Sequence, residues 1–451
     1  MTDLIKKYNI AVPRYTSYPT VPYWRSTPDQ AQWTESVKKT FDATNSKNGI
    51  SLYIHLPFCE SLCTYCACNT RITVNHAVEE PYIETLLREW QLYLSLFKDT
   101  PRLKEIHLGG GTPTFFSASH LKTLIQCILS SSSVCEYAEF SFEAHPDNTS
   151  REHLQTLYDL GFRRVSFGIQ DFDPKVQEAI HRRQTVEQVK AVVNEARRIG
   201  YTSINFDLIY GLPFQTQDSI IHTIQAVNHI KPDRIAFYSY AHVPWVKPGQ
   251  RKFTEMDLPV DSIKRKLYET GLQLFYQSGY EAIGMDHFAL PNDSLFKSIH
   301  TKTLHRNFMG YTSGQTQLLI GLGASSISDT GTCLMQNTKT VEEYTKEIQS
   351  GTFAIFKGHL LSEEDLTIRQ HILNIMCKQE TKWEPDELSY TSFLAGLKRL
   401  KPLVKDGLIE VSSNQLRVTS SGKAFLRNIC FCLDARYWDS LEKRSIFSSA
   451  V

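Results

Sequence analysis

Six strand-like runs that alternate with helical segments constrain the fold of this 451-residue chain more than any other feature of its sequence. The runs are "SLYIHL" (51–56), "KEIHL" (104–108), "EFSFEA" (139–144), "RVSFGIQ" (164–170), "SINFDLIY" (203–210) and "RIAFYSY" (234–240). The clearest helix between them should begin after Thr185 and stop at Gly200. Strand–helix alternation predicts an α/β fold, an incomplete (β/α)6 barrel whose active site lies at the carboxyl ends of the strands.

Polar and glycine-rich residues follow the predicted strands at the positions where a barrel builds its active site. A cysteine-rich loop follows the first strand, and "GGGTPT" (109–114) follows the second. Later strands end in Glu143, in Gln170 and Asp171, in Asp207 and in Ala241 with His242. One carboxylate at a strand end is often only a helix cap or an ion-pair partner. Their recurrence around one rim favours a binding site.

The loop "HLPFCESLCTYCACNT" (55–70) concentrates four of the ten cysteines at the spacing C-x3-C-x2-C-x-C. A structural disulfide is disfavoured unless the protein is exported, and zinc usually takes a second pair of ligands that this chain lacks. C-x3-C-x2-C is the radical-SAM signature. It predicts a [4Fe–4S] cluster on Cys59, Cys63 and Cys66, whose free iron binds the amino and carboxylate groups of S-adenosylmethionine (SAM). Cys68 is then left over.

The overall charge excludes few functions but argues against a polyanionic partner. The 49 basic and 48 acidic residues nearly cancel, which disfavours nucleic-acid binding as the main activity. The amino terminus has no signal-peptide pattern, and no apolar run approaches the roughly 18 residues of a membrane span. We therefore expect a cytoplasmic protein without a membrane span.

Three regions are expected along the chain. Residues 1–50 should form an amino-terminal arm and a lead-in helix, with "VPRYTSYPTVPYWR" (12–25) extended over the site and Arg14 near a substrate carboxylate. Residues 51–355 should form the barrel domain. Residues 356–451 should form a helical, winged-helix-like domain with two strands around 412–414. The acidic "LSEEDL" favours closure of the active-site cleft by this domain over DNA binding.

The sequence resembles the oxygen-independent coproporphyrinogen III oxidases almost from end to end. The stretches that carry the likeness are "PRYTSYPT" (13–20), "HLPFCESLCTYCACN" (55–69), "HLGGGTPT" (107–114), "FGIQDF" (167–172), "FDLIYGLP" (206–213), "GMDHFA" (284–289), "HRNFMGYT" (305–312) and "RNICFC" (427–432). The resemblance implies that two propionates of coproporphyrinogen III become vinyl groups, giving protoporphyrinogen IX. A reduced cluster would cleave SAM to a 5'-deoxyadenosyl radical, which removes hydrogen from the propionate carbon next to the pyrrole.

The resemblance also implies two SAM molecules and a residue set for each. The first would be contacted by Tyr53, Gly110, Glu143 and Ile327, and the second by Tyr65, Gly111, Thr112, Gln170, Arg182, Asp207 and Ala241. Tyr53, Glu143, Ile327 and Met309 would form the catalytic set. A one-electron donor such as flavodoxin or ferredoxin is implied as the partner, and a monomer is expected.

Departures from the family pattern keep two other functions open. Met309 stands where the family has Gln, so a group able to hydrogen-bond near the substrate becomes a thioether that cannot donate. Tyr65 replaces Phe, Ala67 replaces Gly and His145 replaces Asp. A radical-SAM haem chaperone is one alternative, although its H-N-x-x-Y-W motif is missing from this sequence. A radical methyltransferase or cyclopropanase on the same scaffold is the other.

Overall fold

A computed structural model of the protein describes residues 2–440. Its first eight strands are β1 (Ile50–Leu56), β2 (Phe58–Cys59), β3 (Arg71–Ile72), β4 (Arg102–Gly110), β5 (Ser133–Ala144), β6 (Arg164–Gln170), β7 (Ser203–Tyr210) and β8 (Arg234–Ser239). Strands β1, β4, β5, β6, β7 and β8 lie side by side in that order, and each adjacent pair is parallel. The predicted six-stranded parallel barrel core is therefore confirmed.

Helices cover the outer face of this sheet, except for the first helix of the chain, which packs into a separate core described below. In chain order they are α1 (Thr2–Tyr8), α2 (Gln30–Asn48), α3 (Glu79–Leu94), α4 (Ala118–Ser130), α5 (Arg151–Asp159), α6 (Pro174–Ala179), α7 (Val186–Ile199), α8 (Gln217–Ile230) and α9 (Asp261–Gln277). Helix α7 matches its prediction: the Thr185 side chain accepts from the Gln188 N–H, and the chain leaves the helix at Gly200 with φ of 121°. Val189, Val192 and Val193 on its inner stripe are buried against the sheet.

The sheet extends beyond the six predicted strands at both edges. The added strands are β9 (Glu281–Gly284), β10 (His287–Ala289), β13 (Leu319–Leu322), β14 (Ile327–Asp329), β15 (Cys333–Asn337) and β16 (Ile355–Leu360); a separate hairpin is formed by β11 (His305–Asn307) and β12 (Gly310–Thr312). The result is a twelve-stranded mixed sheet with β10 antiparallel to β8 and β13 parallel to β1. Helix α10 (Ser294–Thr301) and helix α11 (Val341–Gln349) accompany these additions.

The carboxyl-terminal region has its own hydrophobic core. It contains α12 (Glu363–Lys378), β17 (Glu380–Lys382), α13 (Thr391–Arg399), α14 (Lys401–Lys405), β18 (Ile409–Val411), β19 (Gln415–Val418), α15 (Leu426–Leu433) and α16 (Ala435–Trp438). The expected hairpin around 412–414 is present as β18 and β19, and β17 adds a third strand to it. The predicted domain runs to residue 451, and residues 441–451 lie outside the described part.

The tyrosines of the amino-terminal arm pack into this second core, whereas Arg14 reaches the barrel. Tyr8, Tyr15 and Tyr18 are buried there with residues from α12 and α15. Arg427 donates to the backbone carbonyls of Val12 and Pro13. The segment 9–20 is extended and irregular, as the prolines predicted. None of the described helices has the length and apolar character needed to cross a membrane.

Candidate active site

A cavity of about 490 Å³ opens at the carboxyl ends of β1 and β4–β8. It is lined by predicted site residues from every part of the rim: Arg14, Cys59, Cys63, Tyr65, Cys66, Gly110, Gly111, Thr112, Glu143, Gln170, Arg182, Asp207 and Ala241, with Cys68 beside them. The parallel register brings them to one level, since Glu143 lies opposite Ser166 and Gly168 lies opposite Asp207. Volumes of this size suit a ligand rather than a few waters.

The cysteine loop is tied to the barrel on several sides. The Thr112 N–H donates to the Phe58 carbonyl at 3.0 Å, and the Thr64 N–H donates to the Ile180 carbonyl at 3.0 Å. Lys247 donates to the Cys68 carbonyl at 3.0 Å. These contacts hold the thiols at the rim while leaving all of them free of disulfides.

The thiols of the loop differ in their environment. The hydrogen bond between Cys66 and Cys68 lowers the pKa of Cys66 to about 6, with Lys247 and Arg182 acting in the same direction against burial. The same bond and burial raise the pKa of Cys68. Burial raises the pKa of Cys59 to about 11, although Thr112 lies 3.4 Å from its sulfur. A cationic setting at one thiol favours the thiolate form that soft metals bind.

Among the described residues no three His, Cys, Asp or Glu side chains converge closely enough to hold a single metal ion. This separation does not conflict with a cubane cluster, because each cysteine then binds a different iron. The donor set of three free thiols at one cavity mouth therefore fits a cluster better than a mononuclear site.

Glu143 receives hydrogen bonds that define its position at the end of β5. The Gly110 N–H donates to Glu143 Oε2 at 3.2 Å, and His107 Nε2 lies 3.4 Å from Glu143 Oε1. Burial works to raise the pKa of Glu143, but the His107 and Gly110 bonds outweigh it and the net shift is downward. An ionised carboxylate with free lone pairs suits the recognition of an ammonium group.

Asp207 and Arg182 form a second polar group on the other side of the cavity. Asp207 accepts from Ser166 and Asn205, each at 3.0 Å. Burial, reinforced by Glu143, raises the pKa of Asp207 to about 6. Arg182 donates to the Gly168 carbonyl and lies 3.7 Å from Cys63 Sγ. Its buried Nε has no hydrogen-bond partner within residues 2–440, as expected where a bound ligand supplies one.

Three predicted residues do not line this cavity. Tyr53 lies behind it on β1, with its hydroxyl 3.1 Å from His55 Nδ1. Ile327 lies on β14, against Gly321 of the strand next to β1. Met309 is in the turn of the β11–β12 hairpin, where its N–H donates to Asn307 Oδ1 at 2.9 Å. Their roles remain predictions.

Several polar residues inside the barrel were not foreseen from the sequence. Glu105, His107, Ser141, Arg164 and Arg234 lie on predicted strands, and each makes a hydrogen bond or ion pair that the strand pattern did not predict. The signal was available, since charged residues interrupt "KEIHL" and "RIAFYSY" at positions that a barrel interior would bury. Only the tertiary structure shows that they pair with one another.

Comparison with known proteins identifies close relatives. Residues 53–227 match the model of the radical SAM superfamily. The chain is 37% identical to the oxygen-independent coproporphyrinogen III oxidase of Escherichia coli, over 96% of this chain and 94% of that protein. It is 38% identical to the enzyme of that name from Helicobacter pylori, over 96% of each. The solved structure of the Escherichia coli coproporphyrinogen III oxidase, a radical SAM enzyme, superposes with a TM-score of 0.89 at 35% identity, covering 96% of this chain and 98% of that one.

Proposed function

Because the chain belongs to the oxygen-independent coproporphyrinogen III oxidase family, we propose that it oxidatively decarboxylates two propionates of coproporphyrinogen III to vinyl groups, giving protoporphyrinogen IX in haem biosynthesis. The observation that carries this proposal is that the chain matches these radical SAM enzymes over 96% of its length. The cavity supports it, because free thiols and ligand-type carboxylates line one 490 Å³ space.

The reaction removes one hydrogen atom, one carbon dioxide and one electron from each propionate. Bound SAM and a [4Fe–4S] cluster supply the 5'-deoxyadenosyl radical that removes the hydrogen. The chain contributes position and exclusion. It holds the reacting groups in one cavity whose lining includes Arg14 of the arm, and closure of that cavity over the substrate would keep water and oxidants from the radical.

We assign the cluster to Cys59, Cys63 and Cys66, with Cys68 outside the ligand set. The first SAM is assigned to Tyr53, Gly110, Glu143 and Ile327. Glu143 supports this assignment because its lowered pKa keeps a carboxylate available for the SAM ammonium group. Ile327 would contribute apolar contact from β14.

The second SAM is assigned to Tyr65, Gly111, Thr112, Gln170, Arg182, Asp207 and Ala241. Two features of the site support a ligand here. Asp207 is a partly buried carboxylate without an ion-pair partner among the described residues, and the Arg182 Nε points to no acceptor there. A ligand with both an ammonium or hydroxyl group and a carboxylate, as SAM has, would satisfy both side chains.

The substrate propionates would meet the arm at Arg14. Arg14 lines the cavity, forms an ion pair with Asp286 and lies 5.7 Å from the centre of the Tyr238 ring. A guanidinium held in this way can bind a carboxylate bidentately. Met309 would act from the β11–β12 turn if the substrate reaches that far.

We further propose that the enzyme acts as a monomer in the cytoplasm, with flavodoxin or ferredoxin as the one-electron donor. The ten free cysteines favour a reducing compartment.

Anaerobic turnover tests the function. Protein reconstituted with iron and sulfide is supplied with coproporphyrinogen III, SAM and a reductant, and the oxidised product is analysed for vinyl groups. We expect protoporphyrin, two methionines per product and no product from the Cys63→Ser variant. Tight haem binding without a vinyl product would instead support a haem chaperone, and methylation of an acceptor would support a methyltransferase.

A further inference from the structure

A line of hydrogen bonds crosses the inside of the barrel and ends on Glu143. Arg164 Nη2 on β6 donates to Ser141 Oγ on β5 at 2.9 Å. Ser141 Oγ lies 2.8 Å from His107 Nδ1 on β4, and His107 Nε2 lies 3.4 Å from Glu143 Oε1. Strand pairing places these residues side by side, since His107 lies opposite Ser141 and Ser141 lies opposite Arg164.

For a neutral His107, the hydrogen-bonding capacity of its neighbours favours one direction for each bond in this line. A guanidinium can only donate, so Ser141 Oγ must be an acceptor towards Arg164. The Ser141 hydroxyl proton is then free to be donated, and His107 Nδ1 is its only acceptor among the described residues. A neutral His107 that accepts at Nδ1 carries its proton on Nε2. That N–H faces the Glu143 carboxylate.

The opposite tautomer would leave two faults in a buried setting. With Nδ1–H, Ser141 Oγ would accept from both His107 and Arg164, and its hydroxyl proton would have no acceptor among the described residues. The bare Nε2 would present a lone pair to the Glu143 carboxylate. Both losses are costly for a His107 that is 8% exposed.

The far end of the line is anchored by charge. Arg164 Nε donates to Glu139 Oε1 at 2.9 Å, and Ser313 donates to Glu139 Oε2 at 3.2 Å. Burial works to raise the pKa of Glu139, but Arg164 and Arg234 lower it to about 2. The carboxylate therefore stays ionised and holds the guanidinium in one orientation.

We propose that Ser141 and Arg164 are positioning residues for the first SAM, because they hold His107 in the Nε2–H tautomer that orients and charges Glu143. The proposal rests on the assignment of Glu143 to that SAM under the proposed function. It gives His107, Ser141 and Arg164 no direct contact with the ligand, since none of the three lines the cavity. They act on binding through the carboxylate alone.

The tautomer can be measured before any cofactor is added. Protein with ¹⁵N-labelled histidine is examined by two-bond ¹⁵N–¹H NMR, and the His107 signals are identified by their loss in His107→Phe. We expect a pyrrole-like Nε2 and a pyridine-like Nδ1 in the natural protein. Ser141→Ala should average the two signals, whereas Ser141→Thr, which keeps the hydroxyl, should preserve the natural pattern.

Ser166→Ala is the matched control for this measurement. Ser166 is buried on β6 opposite Glu143, and its hydroxyl serves Asp207 rather than His107. Its removal should leave the His107 signals unchanged. Arg164→Lys should partly release the tautomer, because one ammonium cannot hold Glu139 and Ser141 in the geometry of a guanidinium fork.

The second readout is the affinity of the cluster-loaded protein for the first SAM, followed by the change that SAM causes in the EPR spectrum of the reduced cluster. Ser141→Ala should weaken binding roughly three- to tenfold, the loss expected of one hydrogen bond, and Ser141→Thr should restore it. An Nδ1–H tautomer in the natural protein, or unchanged His107 signals in Ser141→Ala, would overturn the proposed role of this line of hydrogen bonds. Altered His107 signals with unchanged SAM affinity would support control of the tautomer by Ser141 but overturn the assignment of Glu143 to SAM.

Discussion

Glu139 and Asp207 are both enclosed in the barrel, yet their surroundings move their acidities in opposite directions. Glu139, towards the amino ends of the strands, has a pKa of about 2, because Arg164 and Arg234 outweigh the effect of burial. Asp207, at the carboxyl ends, has a pKa of about 6, because burial and the nearby Glu143 both raise it. The surroundings of Glu139 therefore favour its charged form, whereas those of Asp207 disfavour it.

We interpret Glu139 as a charge that stabilises the fold and Asp207 as a charge available to a ligand. At the floor, near the amino ends of the strands, Arg234 pairs with Asp293 at 2.7 Å and lies 3.7 Å from Glu139, so both of these carboxylates have a cationic partner within the chain. At the rim, Asp207 has only neutral hydrogen-bond donors. A buried, ionised carboxylate without a cationic partner lowers the stability of the ligand-free protein. A bound cation or hydroxyl group would offset that cost.

The largest expected effect tests the rim. Replacing Cys59, Cys63 or Cys66 with Ser should abolish the [4Fe–4S] cluster, because a hydroxyl is a poor ligand for iron. Cys68→Ser, in the same loop, is the control and should keep it. The amount of cluster is measured by the iron and sulfide content and by the visible absorption of the anaerobically reconstituted protein. Loss of the cluster in Cys68→Ser, with retention in one of the other three variants, would refute the ligand assignment.

The next effect tests the floor. Arg234→Met removes the buried partner of Glu139 and Asp293 and should lower the free energy of unfolding by about 3–5 kcal/mol. The exposed pair of Arg198 with Glu195 provides the control, and Arg198→Met should leave the denaturation midpoint nearly unchanged. Urea denaturation followed by circular dichroism gives both values. Equal changes in the free energy of unfolding for the two variants would contradict a stabilising role for the charges at the floor.

A smaller effect should distinguish the two carboxylates by its dependence on pH. Folding raises the pKa of Asp207, so ionisation of this carboxyl lowers the free energy of unfolding as the pH rises from about 4 to 6. Asp207→Asn should therefore stabilise the ligand-free protein by about 1 kcal/mol at pH 7 but not at pH 4. Glu139 contributes the reverse: its stabilisation is present above its unfolded pKa of about 4.3 and is lost as pH falls towards 2.

The measurement for Asp207 combines denaturation at several pH values with SAM binding. Asp207→Asn should bind one SAM fewer, while SAM cleavage at the cluster continues. A variant that is less stable at pH 7 and still binds two SAM molecules would place Asp207 in the structural class with Glu139.

The smallest expected effect concerns Met309. Met309→Gln restores an amide at a turn that does not line the cavity, so we expect the rate of vinyl formation to change several-fold at most, about 1 kcal/mol in activation free energy. The anaerobic product assay measures it, with Met256→Gln, at an exposed position, as the control. A rise of a hundredfold or more would mean that the substrate reaches the β11–β12 hairpin.

Local sequence signals were sufficient for the barrel core. The runs that became β6 and β7 match their predicted bounds, because polar and apolar residues alternate along both with the period of a strand. The added edge strands were not predicted, since strands such as β10 and β14 have only three residues each and depend on pairing with their neighbours. Strand β5 starts at Ser133, six residues before the predicted Glu139, and those extra residues pair mainly at its first two positions.

Motif spacing predicted the residues at the rim of the barrel but not the residues that hydrogen-bond to them from inside it. The cysteines, glycines and strand-end carboxylates are visible because their chemistry is unusual for the positions they occupy. The line from Arg164 through Ser141 to His107 is different, since each member lies on its own segment of chain and only strand register brings them together. No local pattern encodes that register.

The anchoring of the arm has a consequence for how the protein is made. Arg427 holds the backbone of Val12 and Pro13 across 415 and 414 residues of sequence, and the tyrosines of the arm pack among residues from 368 onwards. At ribosomal speeds of about 5–20 residues per second, the first residues wait on the order of 20–80 s for their partners to emerge. A prematurely terminated chain could complete the cysteine loop and the barrel rim but would lack the partners that fix the arm. The arm is therefore among the last parts of the molecule to reach its final position, because its partners lie near the carboxyl-terminal end of the described residues.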